Sequence, residues 1–182
     1  TLPQGVTTFS GELVATPPAD SDADLNLVVS ATAVEQANGH SATNTVNAAI
    51  VVDAVIDPMV LDVADATADE DTAAALDIFT QTGEAANGTT DGSEEITKVL
   101  IEGVPDGFTL SAGTNLGGGV WQLTQAELAG LKLNPPANFN GSVTLTVTSY
   151  AEEVNLSGGE WDTSDNNAQL TKELTVTFTP VA

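Results

Sequence analysis

The chain has no cysteine, and it has only three basic residues, Lys98, Lys132 and Lys172, against 26 Asp and Glu. Without cysteine no disulfide can staple the fold, and no thiol is available as nucleophile or metal ligand. An exported bacterial protein can look like this, although missing cysteine alone fixes no compartment. Three lysines cannot build a phosphate-binding patch, and a formal net charge of −23 repels nucleic acid and anionic membranes. No apolar run approaches the roughly 18 residues that a spanning helix needs, so direct membrane insertion is not expected. No signal peptide is visible, and the start at Thr1 reads as a cut from a longer chain. Aromatics are only 4% of 182 residues, so the core has to be Val, Leu, Ile and Ala. The single histidine, His40, sits in a polar "NGHSAT" stretch that reads as surface. With one histidine, no cysteine and no nucleophile elbow, an enzyme is not expected. The abundant carboxylates dilute any glycosidase signal.

What is present is acid, and it is patterned. A strongly negative surface repels itself and destabilises the compact state unless cations gather. Composition alone leaves two readings open, solubility in a salty habitat or structural divalent cations.

The chain repeats itself. Pro17-Pro18-Ala19 returns as Pro135-Pro136-Ala137, from position 17 to position 135, an offset of 118. The same offset lays Leu25, Leu27 and Val29 on Val143, Leu145 and Val147, and Glu35 on Glu153. "IVVDAV" from position 50 resembles "VTFTPV" from position 176, an offset of 126. The second copy is therefore longer by 8 residues, in a loop that reads "NLSGGEWDTSDNN". Residues 58–182 form a whole repeat. Residues 1–57 are the C-terminal part of a preceding one, or a segment that completes a composite sandwich. Asp57-Pro58 marks the junction.

Thr-Val alternation gives strands of period two. In "SVTLTVTSY", Val143, Leu145 and Val147 face one side and Thr144, Thr146 and Thr148 the other. "LTKELTVTFT" behaves alike, with Leu174, Val176 and Phe178 inward. Further strands are expected at 25–33, 46–55, 59–64, 74–80, 95–102, 107–111 and 119–123. "LGGGVW" reads as a hairpin turn, and Thr124 with Glu127 reads as the capping box of one short helical turn. Many short strands with frequent turns predict an all-β, antiparallel β-sandwich, with a closed barrel the poorer fit.

Three acidic groups are candidate cation sites. "TTDGSEEIT" brings Asp91, Ser93, Glu94 and Glu95 into one Gly-containing turn. Ca2+ takes six to eight oxygens from carboxylates, hydroxyls and carbonyls, so this turn needs partners. Asp69, Glu70 and Asp71 of "DEDT" are the expected ones, should that loop lie at the same end. A second group is Asp162 and Asp165 with Glu152 and Glu153. Trp161, Asn166 and Asn167 lie beside it as a possible ligand-binding platform. Asp57, Asp62 and Asp65 form a third, at the junction. Each group has a plain alternative, a solvated acidic loop. "ADSDAD" has alternate Asp at 20, 22 and 24 but lacks the glycine and the twelfth-position glutamate of an EF-hand.

"VADATADEDTAAALDI", "DGSEEIT", "IEGVPDGFTLSAGT", "WQLTQAELAGLKLNPPANFNGSVTLTVT" and "LTVTFTPVA" follow in order. Together they resemble the tandem Ig-like or cadherin-like repeats of giant bacterial RTX adhesins. The resemblance covers 58–182 end to end and 13–57 as a partial copy. It implies a sandwich with Greek-key-type connections, bound Ca2+, and the "DEDT" and "DGSEE" loops at one end. It also implies an extracellular place on a bacterial cell surface, supporting adhesion and biofilm attachment. Such a module is an extender whose partners are neighbouring repeats of the same chain. The alternative within the same family is a calcium-dependent domain that binds a peptide or glycan. The incomplete first copy and the expanded loop at 155–167 depart from the family pattern.

Overall fold

In a computed structural model of the chain, residues 14–18, 21–88, 92–154, 156 and 162–181 are described. The protein is nearly all β. Its first strands, β1 (Leu25–Val34) and β2 (Ser41–Ile50), form a long antiparallel hairpin. His40 lies in the exposed turn between them. The remaining strands are β3 (Val60–Ala64), β4 (Ala66–Asp69), β5 (Ala74–Ala75), β6 (Asp77–Gln81), β7 (Glu94–Glu102) and β8 (Thr109–Leu110). They continue as β9 (Thr114–Gly117), β10 (Val120–Leu123), β11 (Lys132–Asn134), β12 (Gly141–Glu153) and β13 (Asn167–Thr179).

These build a β-sandwich. One six-stranded sheet has the order β4-β13-β12-β7-β10-β9. A three-stranded sheet β5-β11-β8 and the pair β3-β6 cover it. Leu61, Ile78, Leu110 and Leu133 of the small sheets share one core with Val99, Ile101, Leu145, Val147, Leu174 and Val176 of the large one. The period-two reading of β12 and β13 holds at these positions: Val143, Leu145, Val147, Leu174, Val176 and Phe178 are all buried. One pairing is not antiparallel. β4 runs parallel to β13, with Val176 opposite Ala66 and Thr179 opposite Asp69. Phe108, Phe139 and Phe178 close that end with ring centroids 4.8 to 6.0 Å apart in mostly edge-on contacts.

Turn chemistry follows the residues. The "GGG" stretch is the hairpin turn between β9 and β10, with positive φ at Gly117, Gly118 and Gly119. A Cβ on Gly119 would stand 2.6 Å from the Val104 carbonyl oxygen, so only glycine fits there. Residues Gln125–Leu128 form a 3-10 turn. Glu127 accepts from the Thr124 N–H at 2.8 Å and hydroxyl at 2.9 Å. The Thr124 backbone and then its hydroxyl hold the Glu127 carboxyl below its ordinary value.

The expected strand at 46–55 is displaced. β2 occupies 41–50, and residues 51–57 run as a connector that buries Ala54 and packs Ile56 on the core. A five-residue helix, α1 (Gly83–Asn87), follows β6 and has no counterpart in the periodicity. Among the described strands, β1 and β2 pair only with each other and add no strand to the sandwich. Among the described residues no helix is long and apolar enough to cross a membrane.

Candidate functional site: an acidic cleft at the junction

β13 spans 13 residues, about 40 Å of extended chain, and separates the two ends of the sandwich. The parallel pairing with β4 fixes Asp69 beside Thr179, at the aromatic end. There the acids are engaged locally. Asp69 accepts the Thr179 hydroxyl at 2.9 Å, Glu70 accepts the Val181 N–H at 2.9 Å, and Asp71 accepts the Asn138 N–H at 2.6 Å. Asp71 adopts φ 61°, a left-handed turn conformation that Asp tolerates.

Ser93, Glu94 and Glu95 lie at the opposite end. In the β7–β12 register Glu94 stands opposite Glu153 and Glu95 opposite Glu152, beside the start of β13. The expectation that Asp69, Glu70 and Asp71 complete the same site is therefore corrected. The length of β13 keeps them apart. Glu95 also parts from Glu94, because successive strand residues point to opposite faces; Glu95 is exposed while Glu94 turns to the junction. Asp91 and Trp161 lie outside the described residues.

Residues the sequence did not group come together around Glu94. Its carboxylate accepts the Asp57 N–H at 2.5 Å and the Glu84 N–H at 3.0 Å. The second of these satisfies a first-turn amide of α1 that has no partner inside the helix. Thr82 caps the same helix by accepting the Ala85 N–H at 3.4 Å, and Gly88 ends it at φ 76°. Ser93 donates its hydroxyl to Glu84 at 3.3 Å. Gly83 lets α1 approach the connector: a Cβ there would lie 2.3 Å from the Asp57 Cβ. The result is a cleft of about 300 Å³ whose lining includes Asp22, Asp53, Asp57, Glu84, Glu94 and Glu153, with Ser21 and Ser93. No basic residue is among the described residues that line it. Glu84 is only 2% exposed and Asp22 8%.

The Asp162–Asn167 group joins this same end. Asp53 accepts the Asp162 N–H at 3.3 Å, and the Ile56 N–H donates to the Asp165 carbonyl at 3.1 Å. The Glu153 N–H donates to the Asn166 carbonyl at 2.8 Å, and the Val154 N–H donates to the Ser93 carbonyl. Asp162 accepts the Ser164 hydroxyl at 2.7 Å and N–H at 2.9 Å, which hold its carboxyl below the ordinary value. Asp165 Oδ1 is buried without a hydrogen-bond partner among the described residues. Asn166 and Asn167 edge a polar groove of about 590 Å³ with Tyr150, Glu152 and Gln169.

The junction group Asp57, Asp62 and Asp65 is not assembled. Asp57 lines the cleft, Asp62 pairs with Lys172 at 3.0 Å on the surface, and Asp65 accepts the Thr175 N–H at 2.7 Å. Among the described residues no three Asp, Glu or His side chains close around a single metal position. Asp53 and Glu84 escaped the sequence reading because they come from separate segments. The one available signal was the pairing of Thr82 and Gly88 as the two caps of a short helix.

No protein-family model matches the chain, and a search of curated proteins finds no match.

Proposed function

We propose that the chain is a calcium-binding, calcium-rigidified β-sandwich module of a bacterial cell-surface RTX adhesin. It works outside the cell as a non-enzymatic extender between neighbouring repeats. One observation carries the reading. Glu94 and Glu153 stand directly opposite each other in a cleft whose described lining holds four further carboxylates and no base. Like charges directly opposite on paired strands are destabilising. A divalent cation reverses the sign of that term. The carboxylates of Asp53, Glu84, Glu94 and Glu153, with the Ser93 hydroxyl, have the hard-oxygen chemistry that Ca2+ takes.

The mechanism is linkage. Without a cation the clustered carboxylates of the described lining repel one another. Asp53, Glu84, Glu94 and Glu153 would hold the ion, whose positive charge would offset their repulsion and would tie the 51–57 connector to α1, β7 and β12. Binding only the folded form stabilises it by about 2.7 kcal/mol at a hundredfold excess over Kd. A module of this size then melts roughly 5–10 °C higher. The check is a melt after EGTA treatment, with and without millimolar Ca2+. An unchanged Tm sinks the proposal.

The polar groove at Asn166 and Asn167 supports a second reading, calcium-dependent capture of a peptide or glycan. Array screening with Ca2+ separates the two, since uniform silence favours the extender.

A further inference from the structure

The two hairpins of the chain are the same hairpin in the same register. β1 pairs Leu25 with Ile50, Leu27 with Ala48 and Ala33 with Ala42. Shifted by the repeat offsets of 118 and 126, these pairs become Val143–Val176, Leu145–Leu174 and Ala151–Ala168, which are the pairs observed between β12 and β13. The 8-residue difference lies wholly in the tip. In β1–β2 one face is largely apolar, with Leu25, Leu27, Val29, Ile50 and Val46 on it and Asn44 as its polar member, and the other face carries the Ser30–Thr45 and Thr32–Thr43 hydroxyl contacts; the matching face of β12–β13 is largely apolar too, with Ser149 and Lys172 among its residues.

Their surroundings differ. Val147 is 0% exposed, and its counterpart Val29 is 54% exposed. Val46 on the same face is 60% exposed, where the matching position of β13 is the exposed Lys172. β12 and β13 also have strand neighbours on their outer edges, β7 and β4, whereas both outer edges of β1–β2 are unpaired among the described strands. A long hairpin with a largely apolar face and two edges unpaired among the described strands is a template for further β-structure.

We infer that the β1–β2 hairpin is the back half of a second sandwich core. It docks a front-half β-layer of the kind residues 58–134 form, carried on the same polypeptide. That occupant has stated chemistry. It offers a Leu/Ile/Val inner face to cover the apolar side, one strand to pair antiparallel with β1, and one to pair parallel with β2. A second copy of the chain is a poorer fit, because its own 58–134 layer is already covered by its own β12–β13. The inference does not depend on calcium.

The experiment places a copy of residues 58–134 directly ahead of Pro17, the position that matches Pro135, and compares this fusion with the unfused chain. Amide hydrogen exchange is read at β1 and β2, with dye binding to exposed apolar surface. The expected result is exchange slowed by about 100-fold or more at the outer-edge amides, to the level of β12–β13, with loss of dye binding. Leu27→Asp in the fusion should undo this. Unchanged exchange overturns the inference. So does a graft that stays unfolded beside an intact hairpin, since the hairpin is held to complete that core. Concentration-dependent self-association of the unfused chain that protects the same face also overturns it, in favour of a second copy.

Discussion

At the Thr179 end of the sandwich each of Asp69, Glu70 and Asp71 meets one donor, a hydroxyl or a backbone N–H. At the Asn167 end six carboxylates of the described residues line one cleft, and two of them, Glu94 and Glu153, are set directly opposite on paired strands. Equal acidity in the sequence thus hides two chemistries. The first set acts as turn and terminus caps, where the ionised form accepts from the chain itself and no counter-ion is required. The second set concentrates charge where the connector, α1 and two strand ends meet. What separates them is crowding: the acids of the first set are held one by one, and those of the second converge on a single cleft even though several of them also accept hydrogen bonds.

Neutralising acids at each end is the sharpest way to break that comparison. Glu94→Gln with Glu153→Gln removes the opposed pair. In EGTA the variant should melt at or above the temperature of the unmodified chain, because repulsion is relieved. In millimolar Ca2+ it should melt below, having lost most of the roughly 2.7 kcal/mol linkage gain. Asp69→Asn with Glu70→Gln should keep the full calcium response and lower Tm equally in both conditions, by about 1 kcal/mol or less per lost charge-assisted bond. Crossing curves for the first variant and parallel curves for the second are read from the same melts. Parallel curves for both would erase the distinction between the ends.

A smaller effect tests how the junction is closed. Gly83→Ala puts a Cβ 2.3 Å from the Asp57 Cβ and 2.8 Å from the Asp57 carbonyl carbon, and the backbone there cannot yield as a flexible side chain would. Overpacking of this kind costs about 1–3 kcal/mol. The displaced connector should also weaken calcium affinity. Titration calorimetry with Ca2+ checks the second part; unchanged affinity would mean that the connector does not shape the cation site.

Much of the sandwich is legible in the sequence because period-two alternation is a local signal. β1, β3, β7, β10, β12 and β13 sit where the alternating runs place them, and the repeat offsets even carry the hairpin register. β2 shifted because the more apolar "IVVDAV" run drew the expectation past Ile50, whereas the paired strand is the polar alternation "SATNTVNAAI". The short strands β4, β9 and β11 and the helix α1 are below the length at which periodicity speaks. The site was legible only in halves. Glu94, Glu153, Asp162 and Asp165 do reach one end, but local acidity cannot tell which end of a 40 Å strand a loop occupies. The parallel pairing of β4 with β13 sends Asp69 the other way, and nothing in "DEDT" announces it. Glu84, Asp53 and Asp22 enter through long-range packing, which a single sequence does not display.

The smallest effect belongs to Asp162, which lies at the junction end yet is held in the manner of the far end. Its carboxylate accepts the Ser164 hydroxyl and N–H, so its pKa is depressed. The folded state therefore favours the ionised form. That contribution is present above the unfolded carboxylate pKa of about 3.9 and is lost as pH falls through the still lower folded value. Ser164→Ala should raise the Asp162 titration midpoint toward its ordinary value, as read by NMR. Because both bonds are local, added Ca2+ should leave the Asp162 midpoint of the unmodified chain in place. A midpoint that instead followed calcium would move Asp162 from the self-capped acids into the shell of the ion. The line between the two chemistries would then fall along the β12–β13 loop and not at the entrance of the cleft.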